Sequence, residues 1–378
     1  MKVVHINGGG ETGGGKSHLV TLLPHLRAAG CDASLIVFTP GLLEQEARAM
    51  GVPTTCLGVS RMMSFKLFQR LYQLLKTEKP NMVHTHGGRA NLYGRLAARL
   101  AGIKCIVTTV HSYSDLDYNK AWHNTWFSLV DRLTWVFNDY FIAVSHDLGN
   151  SLATRGVVPH RIAVVHNGIT PWQGQRVDLR HAFSLGPGPV ICAVGRFVPV
   201  KRFDILLKAM SKVLEALPDA NLVLVGEGPE EGDMRLFAQA LGIEKRLSFI
   251  GYRQDARAIL SSADIFVMSS DMEGLPIVLL EALAALVPVV ATRVGGIPEV
   301  VEGDRTAILV PNNNPHALAE ALVATLADKT AAQHRAALGL HWFKENGTAG
   351  AMTNKTLALY KKWGGGHDGQ GRRLCAGQ

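Results

Sequence analysis

Short runs of apolar and β-branched residues alternate with longer amphipathic stretches along almost the whole chain. The longer stretches repeat apolar residues at helical spacing, and several end in a glycine, as helices often do. Strand-like runs that alternate with helices predict a parallel sheet covered by helices on both faces. We expect strands at 2–7, 33–38, 53–59, 81–86, 105–110, 141–145 and 162–166, and then at 190–195, 221–226, 247–251, 264–270, 287–292 and 307–311.

The alternation is interrupted over residues 167–189, which are rich in turn-forming residues and lack a long periodic run. The pattern therefore predicts two doubly wound α/β domains that face each other across a cleft, with ligands at the carboxyl ends of the strands. We expect an N-terminal domain at 1–170, a linker at 171–189, a C-terminal domain at 190–340, a helix at 341–363 that packs back on the N-terminal domain, and a disordered tail at 364–378.

Composition narrows the class of protein. The chain has 378 residues, 47% of them hydrophobic, so two domains with sizeable cores are expected. The five cysteines are scattered without a C-x-x-C pair, which favours a reducing cytoplasm over a disulfide framework. No secretory signal or membrane span is recognisable. The net charge of +8 favours an anionic partner, but no nucleic-acid-binding motif accompanies it, so nucleic acid is not expected.

A glycine-rich segment at residues 8–18, GGGETGGGKSH, directly follows the first strand-like run. Gly10, Gly15, Lys16 and Ser17 match the P-loop pattern G-x-x-x-x-G-K-S, and the glycines also fit the dinucleotide pattern G-x-G-x-x-G. Both patterns bring backbone N–H groups near phosphate at the start of a helix. A P-loop NTPase also needs an acid directly after an apolar strand, and none of the strand-like runs ends in one.

A second segment, SSDMEGLPIVLLEALAALVPVVATRVGGIPE, spans residues 269–299. Pro276 suits the first turn of a helix, whose free N–H groups and dipole would favour an anion. Glu273 precedes this helix and Glu281 lies within it, where carboxylates are suited to accept hydrogen bonds from sugar or ribose hydroxyls. The alternative is that both acids only stabilise the helix start, by about 0.3–1 kcal/mol each.

A third segment, AVGRFVPVKRFDILLKA at residues 193–209, places Arg196 and Lys201 after the first strand of the second domain. Two cations at that position could hold a diphosphate, at roughly 1.5–3 kcal/mol for each charge-assisted hydrogen bond. The alternative is a pair of solvated surface cations.

These segments, in this order, resemble the retaining nucleotide-sugar glycosyltransferases of family 4, which have the GT-B fold and the hallmark E-x7-E. The resemblance covers roughly residues 1–363 and is carried by GR…K, LVGEGPE, EGLPIVLLEALA and GGIPE in the second half, and by GGGKSHLVTLLPHLRAAG, the run from MVHTHGG to VTTVHS, FIAVSHDL and VVHNGI in the first. It implies transfer of a sugar from a UDP- or GDP-linked donor to a hydroxyl of a cell-envelope, lipid-linked or glycan acceptor, with retention of anomeric configuration.

The resemblance also implies roles for single residues of the second domain. Arg196 and Lys201 would neutralise the donor diphosphate, and Glu281 would bind the ribose hydroxyls. Glu273 would act at the transferred sugar, and residues 251–255 would lie near the nucleobase. The transferred sugar and distal phosphate would also be held by the backbone of Gly274, Leu275, Pro276 and Ile277.

In the first domain the resemblance places His111 beside the transferred sugar, so His111 and Glu273 are the expected catalytic residues. Gly13 and Gly14 would approach the diphosphate. Lys16 would stand in a first helical turn, where an anion from donor or acceptor would offset the dipole. No cofactor is expected besides the donor substrate. No metal is expected either, since His84 and His86 lack a third ligand at suitable spacing in the chain.

Residues 61–79, RMMSFKLFQRLYQLLKTEK, predict an amphipathic helix with Met63, Leu67, Leu71, Leu74 and Leu75 on its buried stripe. Its basic and aromatic residues, and those of a second stretch at 122–137, suit an anionic membrane surface, while a packed helix with solvated lysines is the simpler alternative. We therefore expect a cytoplasmic protein that can associate with the inner face of the membrane.

Three other functions remain to be weighed. A P-loop NTPase or kinase would use residues 10–17. A sugar-nucleotide epimerase would share the architecture, but the E-x7-E segment argues against it. A binding module without activity is not favoured either, because both acids and both phosphate cations are present.

Overall fold

The computed structural model describes residues 1–10, 13–112, 131–301 and 305–364. The chain divides into two compact units. The first unit comprises Met1–Gly168 together with Ala349–Gln378, and the second comprises Ile169–Thr348. The sequence placed these boundaries at 170 and 340.

The first unit is built on a parallel sheet of seven strands in the order β3-β2-β1-β4-β5-β6-β7. The order reverses direction between β1 and β4, which are direct neighbours. The strands are β1 (Lys2–Asn7), β2 (Asp32–Val37), β3 (Thr54–Cys56), β4 (Met82–His86), β5 (Cys105–Val110), β6 (Tyr140–Ala143) and β7 (Ile162–Val164).

The second unit repeats this arrangement with six parallel strands in the order β10-β9-β8-β11-β12-β13, which reverses between β8 and β11. Each strand falls on a run that the sequence predicts, although most are one or more residues shorter. The strands are β8 (Val190–Val194), β9 (Asn221–Val225), β10 (Leu247–Phe249), β11 (Ile265–Met268), β12 (Val289–Thr292) and β13 (Ile308–Val310).

Helices connect the strands in both units. Those before β8 are α1 (Gly14–Ala28), α2 (Leu42–Ala49), α3 (Phe65–Glu78), α4 (Gly88–Leu100), α5 (His146–Thr154) and α6 (Leu179–Ala182). Those after it are α7 (Phe203–Ala216), α8 (Glu231–Ala240), α9 (Ala256–Ser261), α10 (Ile277–Ala284), α11 (Ile297–Val300), α12 (Pro315–Ala327), α13 (Lys329–Trp342) and α14 (Ala349–Gly364). Among the described residues, no helix combines the length and the apolar character needed to cross a membrane.

Apolar residues on both faces of each sheet explain the continuous apolar runs in the sequence, as expected for parallel sheets covered by helices. In the first unit one core lies under α1 and α14, where Tyr360 and Trp363 of α14 are buried against Leu19 and Leu23. Trp363 stacks on Tyr140 with ring centroids 4.4 Å apart. The last helix is therefore part of the first unit's core.

Two boundaries differ from those that the sequence predicts. The helix expected at 341–363 is divided. Helix α13 ends at Trp342, a π-helical turn follows at Phe343–Gly347, and α14 begins at Ala349. The expected linker at 171–189 belongs to the second unit and packs on it: Leu179 is buried with Val190 and Ile259.

Helix α3 buries Leu67, Leu71 and Leu75 as expected, but not Met63. The Ser64 side chain caps the helix by accepting from the Leu67 amide, so Met63 precedes the helix and is 68% exposed. Of the second aromatic stretch, residues 122–130 lie outside the described residues.

Candidate functional site

In an open parallel sheet, the crevice at the carboxyl ends of the strands where the strand order reverses is the usual ligand site. In the second unit, the loops after β8 and β11 meet at that position. The Ser269 hydroxyl donates to the carbonyl of Lys201 (2.9 Å), and the Asp271 amide donates to the carbonyl of Val200 (2.9 Å). The two loops that carry predicted site residues are thus fixed to each other.

Lys201 and Glu273 form an ion pair at this junction. The Lys201 ammonium lies 2.6 Å from Oε1 of Glu273, which also accepts from the Ser270 hydroxyl at 2.6 Å. Both side chains are largely buried, at 23% and 10% exposed. The structure therefore brings together two predicted site residues that stand 72 positions apart in the chain.

The glycine pair of the GGIPE segment holds the Glu273 loop in place. Gly295 has φ +53°, and a Cβ there would lie 1.8 Å from the carbonyl oxygen of Glu273. The Gly296 amide donates to the carbonyl of Gly274 at 3.0 Å. A side chain at Gly295 would displace the loop, so the glycine is required by this close approach.

Helix α10 begins at Ile277 with Pro276 as its N-cap, one residue after the predicted start. Among the described residues, no side chain caps the helix and no acid lies in its first turn, and such a helix start is suited to an anion. Glu273 and Glu281 are thus not helix-start carboxylates. The backbone from Gly274 to Ile277 is buried at this helix start.

Glu281 has a partner that the sequence did not suggest. Arg257 of α9 donates through Nε to Oε1 of Glu281 at 2.6 Å. Burial raises the pKa of Glu281, and the Arg257 charge and hydrogen bond oppose that rise. Both residues line a pocket of about 240 Å³ in the second unit, together with Trp172 and Ser261. Glu281 is the only predicted site residue that lines this pocket.

The remaining cations of the second unit differ in their surroundings. Arg196 is exposed, and it has no ion-pair partner among the described residues. Arg202, which sequence reasoning missed, is bound by Asp204 and by Asp271 at 2.9 and 2.7 Å. In the predicted nucleobase segment, Arg253 pairs with Asp255 at the surface. Of these three arginines, only Arg196 could bind a ligand without breaking an ion pair with a described residue.

The glycine-rich loop follows β1 at the point where the first sheet reverses. Gly9 has φ +90°, and a Cβ there would lie 2.2 Å from the Thr39 carbonyl oxygen, so packing requires this glycine. Gly13 has an ordinary φ of −99° and precedes α1, which begins at Gly14. Among the described residues, no atom lies within 4 Å of a Cβ built on Gly13. A Cβ at position 13 would therefore contact no described residue.

Lys16 stands in the first turn of α1, as predicted, but its anion comes from the protein. The ammonium pairs with Oε1 of Glu46 in α2 at 2.5 Å, and the Lys16 side chain is only 11% exposed. A P-loop lysine binds phosphate instead. Glu46 thus offsets the unfavourable helix dipole at Lys16, as the sequence expects an anion from donor or acceptor to do.

Five histidines meet inside the first unit: His5 in β1, His18 in α1, His84 and His86 in β4, and His111 directly after β5. The ring centroids of neighbouring histidines lie 4.3 to 5.7 Å apart. The sequence argument against a metal, that His84 and His86 lack a third ligand, is wrong for the folded protein, because histidines distant in the chain lie beside them. His5, His84 and His86, and also His18, His86 and His111, group their nitrogens within 4.8 Å.

Burial keeps these imidazoles neutral. It lowers the pKa of His5 to about 3 and that of His18 to about 4, with His18 adding to the effect at His5. Burial likewise holds the pKa values of His84, His86 and His111 well below the usual value. Nδ1 of His111 and Nε2 of His18 are buried without a hydrogen-bond partner among the described residues.

Comparisons with known proteins identify two families in the chain. Residues 12–173 match Glycosyltransferase Family 4, and residues 180–339 match Glycosyl transferases group 1. The UDP-Gal:alpha-D-GlcNAc-diphosphoundecaprenol alpha-1,3-galactosyltransferase of Escherichia coli is 30% identical over 313 residues, 76% of this chain and 77% of the relative. A GDP-mannose-dependent alpha-(1-6)-phosphatidylinositol monomannoside mannosyltransferase of Mycolicibacterium smegmatis is 34% identical over 180 residues, 45% of this chain and 47% of the relative.

Solved structures agree in fold. The Anabaena protein Alr3699/HepE, in complex with UDP and glucose, has a TM-score of 0.85 at 19% identity, covering 96% of this chain and all of that chain. The lipopolysaccharide outer core galactosyltransferase WaaB has a TM-score of 0.72 at 18% identity, with 96% and 100% covered. The two reversing parallel sheets, the E-x7-E segment and these matches together show that the chain is a retaining nucleotide-sugar glycosyltransferase with the GT-B fold and belongs to glycosyltransferase family 4.

Proposed function

We propose that the enzyme takes a UDP- or GDP-linked sugar as donor and transfers the sugar to a hydroxyl of a lipid-linked or cell-envelope glycan acceptor. The observation that carries the proposal is the junction of Lys201 and Glu273 at the reversal of the second sheet. It places a cation and a carboxylate beside an uncapped helix start, which suits a diphosphate next to a hydroxyl-rich group.

In this proposal the second unit holds the donor. Arg196 and Lys201 bind the diphosphate, and the backbone from Gly274 to Ile277 binds the distal phosphate and the sugar. Glu273 acts at the transferred sugar, and Glu281 accepts from the ribose hydroxyls with its charge maintained by Arg257. Residues 251–255 lie near the nucleobase, and no metal or cofactor is needed besides the donor.

The first unit is proposed to supply His111 for the transferred sugar and the backbone at Gly13 and Gly14 for the diphosphate. Open space beside the Cβ position of Gly13 supports this role, since it leaves room for a phosphate to approach the backbone. Lys16 contributes through its ion pair with Glu46, which fixes the start of α1.

The acceptor is proposed from the first unit's surface and from the relatives' printed activities. Phe65 is 73% exposed and stacks on Phe68, which stacks on Tyr72, with Lys76 over the Tyr72 ring. An aromatic row with basic neighbours suits the interface of an anionic membrane. We therefore propose a cytoplasmic enzyme that works at the inner membrane face.

A panel of nucleotides tests the donor proposal by thermal shift. UDP, GDP, ADP, ATP with Mg²⁺ and the corresponding sugar conjugates are compared at equal concentration. Stabilisation by one nucleoside diphosphate and its sugar conjugate is expected. Stabilisation by ATP with Mg²⁺ alone would contradict it. Turnover is then measured with the stabilising donor and a polyprenyl diphosphate-linked sugar.

A further inference from the structure

A continuous row of hydrogen bonds joins six side chains inside the first unit. Its links run from Thr109 Oγ1 to His84 Nε2 (2.7 Å), His84 Nδ1 to Tyr360 Oη (2.5 Å), Tyr360 Oη to His5 Nε2 (3.3 Å), His5 Nδ1 to His86 Nε2 (3.0 Å), and His86 Nδ1 to His111 Nε2 (3.2 Å). Tyr360 belongs to α14, and the other residues lie in or next to the strands β1, β4 and β5. The row ends at His111, whose Nδ1 is buried and has no partner among the described residues.

Each link of the row holds a single proton, and this couples the rings. A neutral imidazole carries one N–H and one acceptor nitrogen. His84, His5 and His86 use both nitrogens within the row. The Tyr360 hydroxyl has two partners in the described part of the chain, so it donates to one histidine and accepts from the other.

Two arrangements satisfy every link. If Tyr360 donates to His84 Nδ1, it accepts from His5 Nε2, and the N–H of each following ring points back along the row. All four histidines of the row then carry their proton on Nε2, and Nδ1 of His111 presents a lone pair. If Tyr360 donates instead to His5 Nε2, all four carry it on Nδ1, and His111 presents an N–H.

We propose that Tyr360, His5 and His86 are positioning residues that couple the tautomer of His111 to the tautomers of the other rings in the row. The proposal rests on the proposed function, in which His111 contacts the transferred sugar. A sugar hydroxyl can donate to a lone pair or accept from an N–H, so the tautomer decides which hydroxyl geometry His111 recognises. A residue of the last helix thereby sets the hydrogen-bonding character of a residue that follows β5.

Long-range proton–nitrogen NMR on donor-free protein labelled with ¹⁵N-histidine tests the coupling, because it distinguishes the two neutral tautomers. Single His→Gln variants assign the four rings. We expect His84, His5, His86 and His111 to share one tautomer. A mixture, with some rings protonated on Nδ1 and others on Nε2, would overturn the proposal. Stoichiometric uptake of Zn²⁺ by these rings would overturn it as well, since a metal would replace the links.

Tyr360→Phe removes the hydroxyl and keeps the ring that fills the core. We expect His84 to lose its coupling to the other three rings, and the His111 signals to move to values averaged over both tautomers. Thr356→Val is the matched control, because the only partner of this buried hydroxyl among the described residues is the Met352 carbonyl of the same helix. Unchanged His111 signals in a folded Tyr360→Phe protein would overturn the coupling.

Turnover separates this proposal from the proposed function. The NMR experiment uses donor-free protein, so it tests the tautomer coupling even if no donor is found. Once a donor is known, Tyr360→Phe should lower kcat by about 10- to 100-fold, the range seen when partners that orient metal-bound histidines are removed. Thr356→Val should leave kcat unchanged. If the parent protein shows the tautomer coupling but Tyr360→Phe keeps the full kcat, the positioning role is overturned.

Discussion

The Lys201 ammonium and Oε1 of Glu273 lie 2.6 Å apart, in loops that follow neighbouring strands of the second sheet. The cation proposed for the diphosphate is thus already paired with the carboxylate proposed for the sugar. Donor phosphates would share Lys201 with Glu273, and the negative charge of Glu273 would oppose them. This arrangement makes the two residues separable by experiment, since their removal should change nucleotide binding in opposite directions.

Lys201→Ala should weaken binding of the stabilising nucleoside diphosphate by about 10- to 100-fold, the effect of losing one charge-assisted hydrogen bond. Glu273→Gln should tighten binding by up to about tenfold, because a like charge is removed, while kcat falls. Isothermal titration calorimetry measures both. Lys212→Ala, an exposed cation of α7, is the control and should leave the dissociation constant unchanged. Weaker binding in Glu273→Gln would contradict the shared-cation arrangement.

Arg257→Ala should destabilise the protein more at pH 8 than at pH 5. Burial raises the pKa of Glu281 above its unfolded value, so the folded state binds more protons, and stability is lost as pH rises above that value. The charge of Arg257 opposes the rise in the pKa of Glu281 and so limits this loss of stability. Without Arg257, the pKa should rise further and more stability should be lost at high pH. Thermal unfolding across pH 5–8 measures the difference. In Glu281→Gln, the same Arg257 substitution should show no such pH dependence. Equal melting shifts at both pH values would contradict the prediction.

Gly13→Ala should preserve the fold, because a Cβ there meets no described atom, and it should impair transfer by entering the space proposed for the diphosphate. We expect a melting temperature close to that of the parent and kcat/KM for the donor reduced about tenfold or more. Gly9→Ala is the contrast, because φ +90° and the Thr39 carbonyl at 2.2 Å from a Cβ should cost about 1–3 kcal/mol of stability. Normal donor kinetics in Gly13→Ala would remove Gly13 from the proposed site.

The free energy of unfolding should fall as pH drops from about 6.5 towards 4. His5 and His18 have folded pKa values of about 3 and 4, so the unfolded chain takes up protons in this range before the folded protein does. Urea unfolding at several pH values measures the slope. His18→Gln should make the slope shallower, whereas His160→Gln, at an exposed position, should not change it. An unchanged slope in His18→Gln would contradict the neutral buried state.

The protein should float with anionic liposomes at low salt and not with neutral ones. Phe65→Ser should reduce this binding, because it removes the exposed end of the aromatic row on α3. Leu236→Ser in the second unit is the control, since Leu236 is also well exposed, at 66%. Liposome flotation with added salt measures the electrostatic part. Equal flotation of the Phe65 and Leu236 variants would exclude α3 as the contact.

The strand pattern was predictable because residues buried on both faces of a parallel sheet leave continuous apolar runs in the sequence. The strand ends were less predictable, because the transition into the following loop is gradual: β8 ends at Val194 and β9 at Val225, yet the next amides, of Gly195 and Gly226, still donate to the carbonyls of Val225 and Gly251. The helix at Pro276 was readable from a local signal. Met63 was misplaced because the Ser64 cap, and not the apolar spacing, determines where α3 begins.

Partners of the site residues were not predictable, since they come from distant parts of the chain. Arg257 reaches Glu281 across 24 residues, and Glu46 reaches Lys16 across 30. The histidine cluster depends on the register of β1 against β4, which sets His5 directly beside His84. The spacing of residues along the chain does not reveal such neighbours. The sequence argument, which considered only His84 and His86, therefore missed that His5, His18 and His111 lie beside them.

The return of α14 to the first unit has a consequence for biosynthesis. The ribosome completes the seven described strands of that unit within the first 164 residues. Met352, Tyr360 and Trp363 of its core are made only after the entire second unit. In the nascent first unit, the apolar surface that α14 covers therefore stays exposed while some 180 further residues are translated. Premature termination just before α14 would yield a chain with a finished second unit and a first unit prone to aggregation.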